Sequence, residues 1–368
     1  MISPITSFKF TRFDFARDRP VGDSQVRADR VHVAALELAS QDGTVGLGFV
    51  QQLFAPLPDL PELDRLFRDN AWSALEGELP LSLTQQVHRP RGGNLSAPAF
   101  DTREAVQVAL WDLTAKQLGL PLWKVLGAKR NKVPAYASGL DFHLEDDAFC
   151  TLFGEADAVG YSAFKIKVGH EDFERDLHRL DLLQQTVRPG ATVMIDANEA
   201  WSAKEALVKL ERIRAAGHDL LWVEDPILRF DCEGLRLLRG ALPWTQVNAG
   251  EYLGISDKRR LLEAEAIDML NVHGQITDVM RAGWLAAERG VPVTLGNTFL
   301  EVGIHTAVAL PGVDWLEYSF QNFDHLVDQP IQITDGFAFA PDRPGHGLVL
   351  SETARMNAQP FLEIQAAE

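Results

Sequence analysis

The stretch that decides the fold is residues 163–198, AFKIKVGHEDFERDLHRLDLLQQTVRPGATVMIDAN. Its two short apolar runs, AFKIKV and TVMIDAN, are typical of buried strands, and the segment between them, DFERDLHRLDLLQQTV, has apolar residues at helical spacing. This alternation recurs along the chain and predicts eight strands: VPAYASG, AFKIKV, TVMIDAN, LLWVED, QVNAGE, DMLNVH, VPVTLGN and VDWLEYS. Because right-handed crossovers close eight such repeats into a ring, we predict an α/β fold with a (β/α) barrel, a modified TIM barrel. The alternative, a doubly wound open sheet, normally carries a Gly-rich phosphate loop after its first strand, and the sequence has none there.

The segments on either side of the barrel have a different pattern. Residues 31–50, VHVAALELASQDGTVGLGFV, alternate apolar and polar positions around a QDGT turn and predict an antiparallel hairpin. Residues 101–118 predict a helix, so residues 1–130 form an α+β domain. We place the barrel and its site at 131–329, and expect residues 330–368 to return to the first domain.

Composition narrows the classes of partner. The chain has 35 Lys and Arg against 52 Asp and Glu, a formal charge of −17, which disfavours nucleic acid and anionic membranes. Its two cysteines, Cys150 and Cys232, have neither the number nor the spacing of a disulfide framework or zinc site. No apolar run approaches the roughly 20 residues needed to span a bilayer, and the first residues do not resemble a signal peptide. We therefore expect a cytoplasmic protein that acts on a small molecule and associates as a homo-oligomer.

Three predicted strands in succession end in a carboxylate. Asp196, Glu224 and Glu251 are separated by 28 and 27 residues, so each occupies the same point of its repeat. The C-terminal ends of barrel strands meet at one mouth, where three carboxylates repel one another unless a cation lies among them. Oxygen ligands alone favour Mg²⁺, with Mn²⁺ as the alternative. Taken singly, each acid fits an ordinary helix cap or surface ion pair equally well.

Two lysines lie at the end of the preceding predicted strand. Lys165 and Lys167 are two residues apart, so their side chains point to the same face. An ammonium beside a second ammonium and a metal ion loses part of its preference for the charged form and can act as a base. One lysine could then hold a substrate carboxylate while the other removes a proton from the adjacent carbon. The alternative is a strand that leaves the core with its lysines extended into solvent.

The motifs KIK, IDANEAW, VEDP and AGE, together with VALWDLTAKQLGLPLWKVLGA at 108–128, occur in an order and spacing that resemble a known family. The chain is similar to the enolase superfamily, in its mandelate racemase and muconate lactonizing enzyme branch. The resemblance implies that the first domain, completed by the C-terminal segment, caps the barrel. It also implies that Lys165 contacts the substrate carboxylate, that Lys167 abstracts the α-proton, and that the three strand-end carboxylates hold Mg²⁺, which stabilises an enediolate. Glu317, in WLEYS, matches a glutamate that binds the substrate carboxylate in racemase-type members.

The opposite side of the predicted site departs from the family pattern. Racemase-type members have a catalytic His where this chain has Asn297, and His273 stands where they have Asp or where the lactonizing group has Lys. Imidazole can donate or accept a proton near neutral pH, whereas an amide cannot. Dehydration of a hydroxy acid or sugar acid is favoured, because loss of one base harms two-base chemistry more than elimination. Racemisation or epimerisation by Lys167 and His273, cycloisomerisation, and a non-catalytic carboxylate-binding role stay open.

Substrate contacts are expected from polar residues around the mouth. Within the barrel these are Asn198 and Asn297, which follow the third and seventh strands. In the first domain, FDFARDRPVGDSQ (13–25) and VHRPRGGNLSAP (87–98) have the composition of mobile loops that close over a site. Arg17 and Arg19 in the first loop and Arg89 and Arg91 in the second are the candidate contacts for anionic or hydroxylated groups, with Arg17 and Arg89 taken as the site residues. Exposure of each side chain to solvent is the alternative.

Overall fold

The computed structural model describes residues 2–52, 56–85 and 102–358. The chain begins with an antiparallel sheet of three strands in the order β1-β2-β3. These strands are β1 (Ile5–Gly22), β2 (Arg27–Ser40) and β3 (Val45–Gln52). The predicted hairpin is confirmed, and its turn has Gly43 in the left-handed region at φ 83°.

Helices follow this sheet in the chain, and the first and third of them pack on it. They are α1 (Leu60–Asn70), α2 (Pro80–Leu83), α3 (Arg103–Gln117) and α4 (Leu122–Val125), with a 3₁₀ turn at Trp72–Ala74. The closest approach is that of α3 to β3, and it depends on glycine. A Cβ on Gly48 would lie 2.0 Å from the carbonyl oxygen of Ala105, and one on Gly46 would lie 2.2 Å from that of Ala109. The small residues of DGTVGLG thus let the helix lie directly on the strand.

Eight parallel strands form the second part of the structure. They are β4 (Lys132–Ser138), β5 (Ala163–Lys167), β6 (Thr192–Asp196), β7 (Trp222–Glu224), β8 (Gln246–Ala249), β9 (Met269–Val272), β10 (Val293–Leu295) and β11 (Val313–Tyr318). Each overlaps one predicted run, and pairing of β11 with β4 closes the ring. The predicted (β/α) barrel is confirmed.

Helices connect the strands on the outside of the barrel. They are α5 (Asp146–Ala158), α6 (Phe173–Thr186), α7 (Ala203–Ala215), α8 (Cys232–Ala241), α9 (Ile255–Glu263), α10 (Ile276–Glu288) and α11 (Ile304–Ala309), with a 3₁₀ turn at Phe299–Glu301. Local sequence sets their ends: α7, for example, begins at a capping box in which Ser202 and Glu205 bond each other's backbone. Among the described residues, no helix combines the length and the apolar character required to cross a bilayer.

The C-terminal segment contacts both parts of the structure. It contains β12 (Gln332–Thr334), β13 (Phe337–Phe339) and α12 (Glu352–Asn357), preceded by a 3₁₀ turn at Asp324–Leu326. Strand β13 pairs antiparallel with the first residues of β4. Further along, the His346 ring bonds the carbonyl oxygen of Leu47 at 2.8 Å, and Arg355 pairs with Glu37 at 2.6 Å. The domain boundaries after residues 130 and 329 stay predictions.

The tip of the β1–β2 hairpin lies on the barrel. Gly22 N donates to Leu140 O at 3.2 Å, the His143 ring bonds Val26 O at 2.9 Å, and the Gln25 side chain donates to Asn198 O. The prediction of a mobile loop over residues 13–25 is therefore wrong as far as Gly22. This segment is strand because its backbone pairs with β2, as in Ala16 opposite Arg30, and polar side chains on an edge strand do not oppose that pairing. The second predicted loop, 87–98, lies outside the described residues.

Candidate active site

Parallel register places the candidate catalytic side chains at one level of the barrel. Lys167 at the end of β5 stands beside Asp196 at the end of β6, and Asp196 stands beside Glu224 at the end of β7. All three residues are buried, as are Lys165 and Glu317. The lysines therefore do not extend into solvent, and the structure brings five of the predicted site residues into one cluster.

Lys165 is the centre of this cluster. Its Nζ donates to both carboxylate oxygens of Glu224 at 2.9 Å and lies 3.1 Å from Glu317 Oε1 and 3.5 Å from Asp196 Oδ2. Burial lowers the pKa of Lys165, but the surrounding carboxylates, Glu224 first, outweigh burial and hold that pKa well above its ordinary value. The ammonium is thus charged and linked to three acids at once.

Lys167 binds the other side of the same group. Its Nζ donates to Asp196 Oδ2 at 2.6 Å and to Asn198 Oδ1 at 2.8 Å. Burial lowers the pKa of Lys167, and Asp196 raises it by more, so the net shift is upward. Burial likewise raises the pKa of Asp196, but Lys167 and Lys165 lower it to about 2. Asn198, predicted to contact substrate, therefore orients Lys167 in this structure.

Glu224 has two further partners that the sequence reasoning missed. Asn271 Nδ2 donates to its Oε1 at 3.0 Å, and Asn248 Nδ2 donates to its Oε2 at 3.3 Å. Both amides are fully buried. Each lies inside its strand between two apolar neighbours, Val247 and Ala249 or Leu270 and Val272, and this signal could have identified them. Burial, with Asp196 and Glu317 nearby, raises the pKa of Glu224 well above its ordinary value although Lys165 opposes the shift.

Glu251 lies two residues beyond β8, in a turn where Gly250 has φ 121°. Lys258 fixes this turn from behind by donating to Gly250 O and, at 2.6 Å, to Leu253 O. The Glu251 carboxylate is close enough for its charge to raise the pKa of Lys167. Sequence analysis named Lys167, Asp196, Glu224 and Glu251 for the site but not Lys258, whose place on a helix carries no distinguishing pattern.

The strand-end carboxylates are the predicted ligands of a divalent cation. Over the described ranges, no three Asp, Glu, His or Cys side chains converge in a metal-holding arrangement as they stand. Instead, one ammonium already joins two of the predicted ligands, because Lys165 Nζ contacts Glu224 at 2.9 Å and Asp196 at 3.5 Å. The predicted ligands are all carboxylates, and two of them already bind one positive charge, the Lys165 ammonium. Oxygen ligands of this kind are those that Mg²⁺ prefers. An ion there would replace ammonium contacts.

Glu317 and Asn297 meet on the far side of Lys165. Glu317 Oε2 accepts from the backbone N–H of Asn297 at 2.8 Å, while Oε1 faces Lys165. Burial raises the pKa of Glu317, but Lys165 and Lys167 lower it below its ordinary value. Asn297 follows β10 and is half-buried, and its backbone orients Glu317.

His273 follows β9, the sixth barrel strand, and is half-buried. In an eight-stranded ring the sixth strand stands opposite the second, β5, which carries both lysines. The imidazole packs edge-on against Tyr252 at 5.5 Å between ring centroids. Together with Glu251 and Tyr252 it lines a cavity of about 220 Å³. His273 thus borders open space next to the predicted metal ligand Glu251.

The arginines named from the sequence have different outcomes, because Arg17 and Arg19 are described by the structure and Arg89 and Arg91 lie among the residues that it does not describe. Arg17 lies beside the end of β11, where its Nη2 donates to Gln321 Oε1 at 3.2 Å.

Comparison with known proteins identifies the family. A family model described as enolase C-terminal domain-like matches residues 152–354, which is more than half of the chain. The chain belongs to the enolase superfamily. This finding confirms the resemblance drawn from KIK, IDANEAW, VEDP and AGE.

Solved structures and curated relatives of this enolase superfamily member agree with that assignment. A crystal structure from Mesorhizobium loti, provisionally named a mandelate racemase, has 64% identity and a TM-score of 0.93 over 97% of this chain and 95% of that one. The L-talarate dehydratase of Polaromonas sp. JS666, complexed with Mg and L-glucarate, has 26% identity and a TM-score of 0.80 over 97% and 98% of the two chains.

Two curated relatives differ in the reaction they are named for. The L-talarate/galactarate dehydratase of Salmonella typhimurium is 28% identical, over 91% of this chain and 86% of its own length. The 3,6-anhydro-alpha-L-galactonate cycloisomerase of Streptomyces coelicolor is 30% identical, over 71% of each chain.

Proposed function

We propose that this protein is a Mg²⁺-dependent hydro-lyase that dehydrates a sugar acid or related hydroxy acid to a 2-keto acid. The observation that carries the proposal is the buried cluster in which Lys165 and Lys167 face Asp196, Glu224 and Glu317. Two ammonium groups and several carboxylates at one barrel mouth suit removal of a proton next to a carboxylate, because that proton is a very weak acid and needs charge stabilisation. Named relatives include a sugar acid dehydratase and a structure with Mg bound.

Each residue has a role in this proposal. Lys165 and Glu317 bind and orient the substrate carboxylate, and Lys167 takes the α-proton on its Nζ. Mg²⁺, held by Asp196, Glu224 and Glu251, would supply positive charge for the carboxylate as negative charge develops on it. With Asp196 bound to the metal ion, Lys167 would lose the carboxylate that raises its pKa, and its Nζ could then act as a base. The amides of Asn248 and Asn271 keep Glu224 oriented.

Elimination then requires an acid for the leaving group. The C–H bond at the α-carbon breaks toward Lys167, the C–O bond at the β-carbon breaks, and His273 gives a proton to the departing hydroxide so that water leaves. The resulting enol becomes the 2-keto acid. Asn297 cannot protonate the leaving group, since an amide neither gives up nor takes up a proton near neutral pH.

Epimerisation is the second candidate, and one observation favours it. His273 stands on the strand opposite β5, so a proton removed by Lys167 on one face could be returned by His273 on the other. Cycloisomerisation uses the same two groups on a substrate with an internal leaving group, and one relative is named for such a reaction.

Products from a library of hydroxy acids, incubated with Mg²⁺, distinguish these reactions. The proposal predicts a 2-keto acid, trapped as its hydrazone, from at least one sugar acid. His273→Asn should abolish that product and leave α-proton exchange in D₂O intact, because proton removal belongs to Lys167. Epimers without any 2-keto acid across the library would refute dehydration in favour of the second candidate.

We also propose a cytoplasmic, homo-oligomeric protein. Both cysteines, Cys150 and Cys232, are free thiols, which suits a reducing compartment. Trp284 is 53% exposed at a cavity of about 590 Å³ that is lined by α10 of the barrel and by residues of α3 and α4, and a second copy that covers it would bury the indole ring. Light scattering of the wild type and of Trp284→Glu tests the assembly, which should become smaller in the variant.

A further inference from the structure

Two arginines above the barrel mouth have more hydrogen-bond capacity than the described protein satisfies. Arg17 and Arg19 are two residues apart near the end of β1, and both guanidinium groups reach residues that follow β11. Within the ranges that the structure describes, the buried nitrogens Arg17 Nε, Arg17 Nη1 and Arg19 Nη1 have no hydrogen-bond partner. Buried donors are rarely left unpaired in folded proteins, so an acceptor is expected at this place.

A bulge in the hairpin directs these arginines toward the barrel. Pairing between β1 and β2 is regular up to Ala16, opposite Arg30, and resumes only at Val21, opposite Ala28. The four residues between them, 17–20, therefore face a single residue of β2 and project out of the sheet. A bulge changes the direction of the side chains on it, and this one directs the guanidinium groups of Arg17 and Arg19 toward the barrel mouth.

Contacts of the arginines place them beside the catalytic cluster. Arg19 Nη2 lies 3.3 Å from Ser319 O, and Ser319 is two residues beyond Glu317 on the same face of the chain. Arg17 Nη2 bonds Gln321 Oε1 at 3.2 Å, and Gln321 in turn bonds Ser319 Oγ at 3.0 Å. Both arginines thus reach Ser319, directly or through Gln321, at a position two residues beyond Glu317.

Two nearby acids, Asp18 and Asp141, offset part of the charge of the arginines, but neither is paired with an arginine in a salt bridge among the described residues. Asp18, between the two arginines, accepts from Asn322 Nδ2 at 2.7 Å. Asp141 attracts Arg19, but its Oδ1 accepts the backbone N–H of Lys167 at 3.1 Å. Two guanidinium groups so close repel each other, and their burial in a chain of charge −17 indicates an anionic ligand.

We propose that Arg17 and Arg19 form a subsite for a second carboxylate, at the end of the substrate distant from the reacting carbon. This inference rests on the proposed function and specifies its substrate class as dicarboxylic sugar acids. The planar guanidinium edge pairs with a carboxylate through two parallel hydrogen bonds, which a terminal hydroxyl cannot match.

The test compares galactaric acid with galactonic acid, which has a terminal hydroxyl in place of the second carboxylate, and with its 6-phosphate. Arg17→Gln and Arg19→Gln keep a donor and remove the charge, and Arg30→Gln is the matched control on the exposed face of the same hairpin. Calorimetry with Mg²⁺ present measures binding of each acid, and α-proton exchange measures KM. We expect wild type to prefer the diacid, and each site variant to weaken its binding and raise its KM roughly tenfold or more while galactonate changes less than about twofold.

Several outcomes would overturn the subsite. One is an equal loss of binding for both acids in the arginine variants, which would indicate that the arginines only hold the hairpin on the barrel. The others are a preference of the wild type for the 6-phosphate and equal affinity of the wild type for all three acids. Selective diacid binding without exchange or turnover would leave the subsite standing and refute the proposed function. Exchange without discrimination would refute only the subsite.

Discussion

Replacement of Lys165 by methionine removes the charge that compensates three buried acids. The side chain keeps its approximate shape, but two oxygens of Glu224, one of Glu317 and one of Asp196 lose an ammonium that lies 2.9 to 3.5 Å away. Removing one partner of a buried ion pair costs about 3–5 kcal/mol, because the remaining charge is left without solvent or counterion. We expect a loss of that size in the free energy of unfolding, a large fraction of the roughly 5–15 kcal/mol typical of folded proteins.

Urea unfolding in the presence of EDTA, followed by tryptophan fluorescence, measures this loss without metal. The exposed Lys204→Met is the matched control and should change stability by less than about 0.5 kcal/mol. The double variant Lys165→Met with Glu224→Gln should recover much of the loss, since the neutral amide no longer needs a counterion. A single-variant loss below about 1 kcal/mol, or no recovery in the double variant, would show that the ammonium does not stabilise the cluster.

Two further predictions concern the second partners of Glu224 and a buried imidazole. Asn271→Leu removes a hydrogen bond to Glu224 and should weaken Mg²⁺ binding about 10–100-fold in calorimetry without substrate, while a change under twofold would contradict the role of Asn271. Burial first, and His346 second, lower the pKa of His305 to about 3 from 6.5. The unfolded chain therefore takes up this proton first, so stability is complete above pH 6.5 and falls toward pH 3, by about 2 kcal/mol at pH 5. In urea unfolding at pH 8 and pH 5, His305→Gln should lose about that much less than wild type, and identical losses would refute the assignment.

Much of the site could be predicted because strand ends in a barrel converge. Regular spacing of Asp196, Glu224 and Glu251 was enough to place these carboxylates on successive strands, and the i, i+2 relation of Lys165 and Lys167 was enough to put both ammonium groups on one face. The pairing between the groups could not be predicted. Sequence spacing does not reveal that Lys165 itself bridges two of the acids, since that depends on side-chain rotamers and on a shear of the barrel.

Some features of the site and the hairpin were not predicted from the sequence, for physical reasons. Asn248 and Asn271 were overlooked because only strand ends were searched, although a buried amide inside an apolar strand needs a polar partner. The composition of residues 13–22 predicts a loop, yet residues 13–16 and 21–22 pair with β2 and make the segment a strand with a bulge at 17–20. Arg17 and Arg19 owe their direction to a bulge, which has no signature in the sequence beyond Pro20.

The central claim is that Lys167 removes the proton next to a substrate carboxylate. Proton NMR of a sugar acid in D₂O with Mg²⁺ measures this step alone, whatever the product. Wild type and Lys204→Met should replace the α-proton by deuterium, and Lys167→Ala should be slower by about 10²-fold or more. Exchange at the wild-type rate in Lys167→Ala, or none in wild type with any sugar acid, would contradict the account.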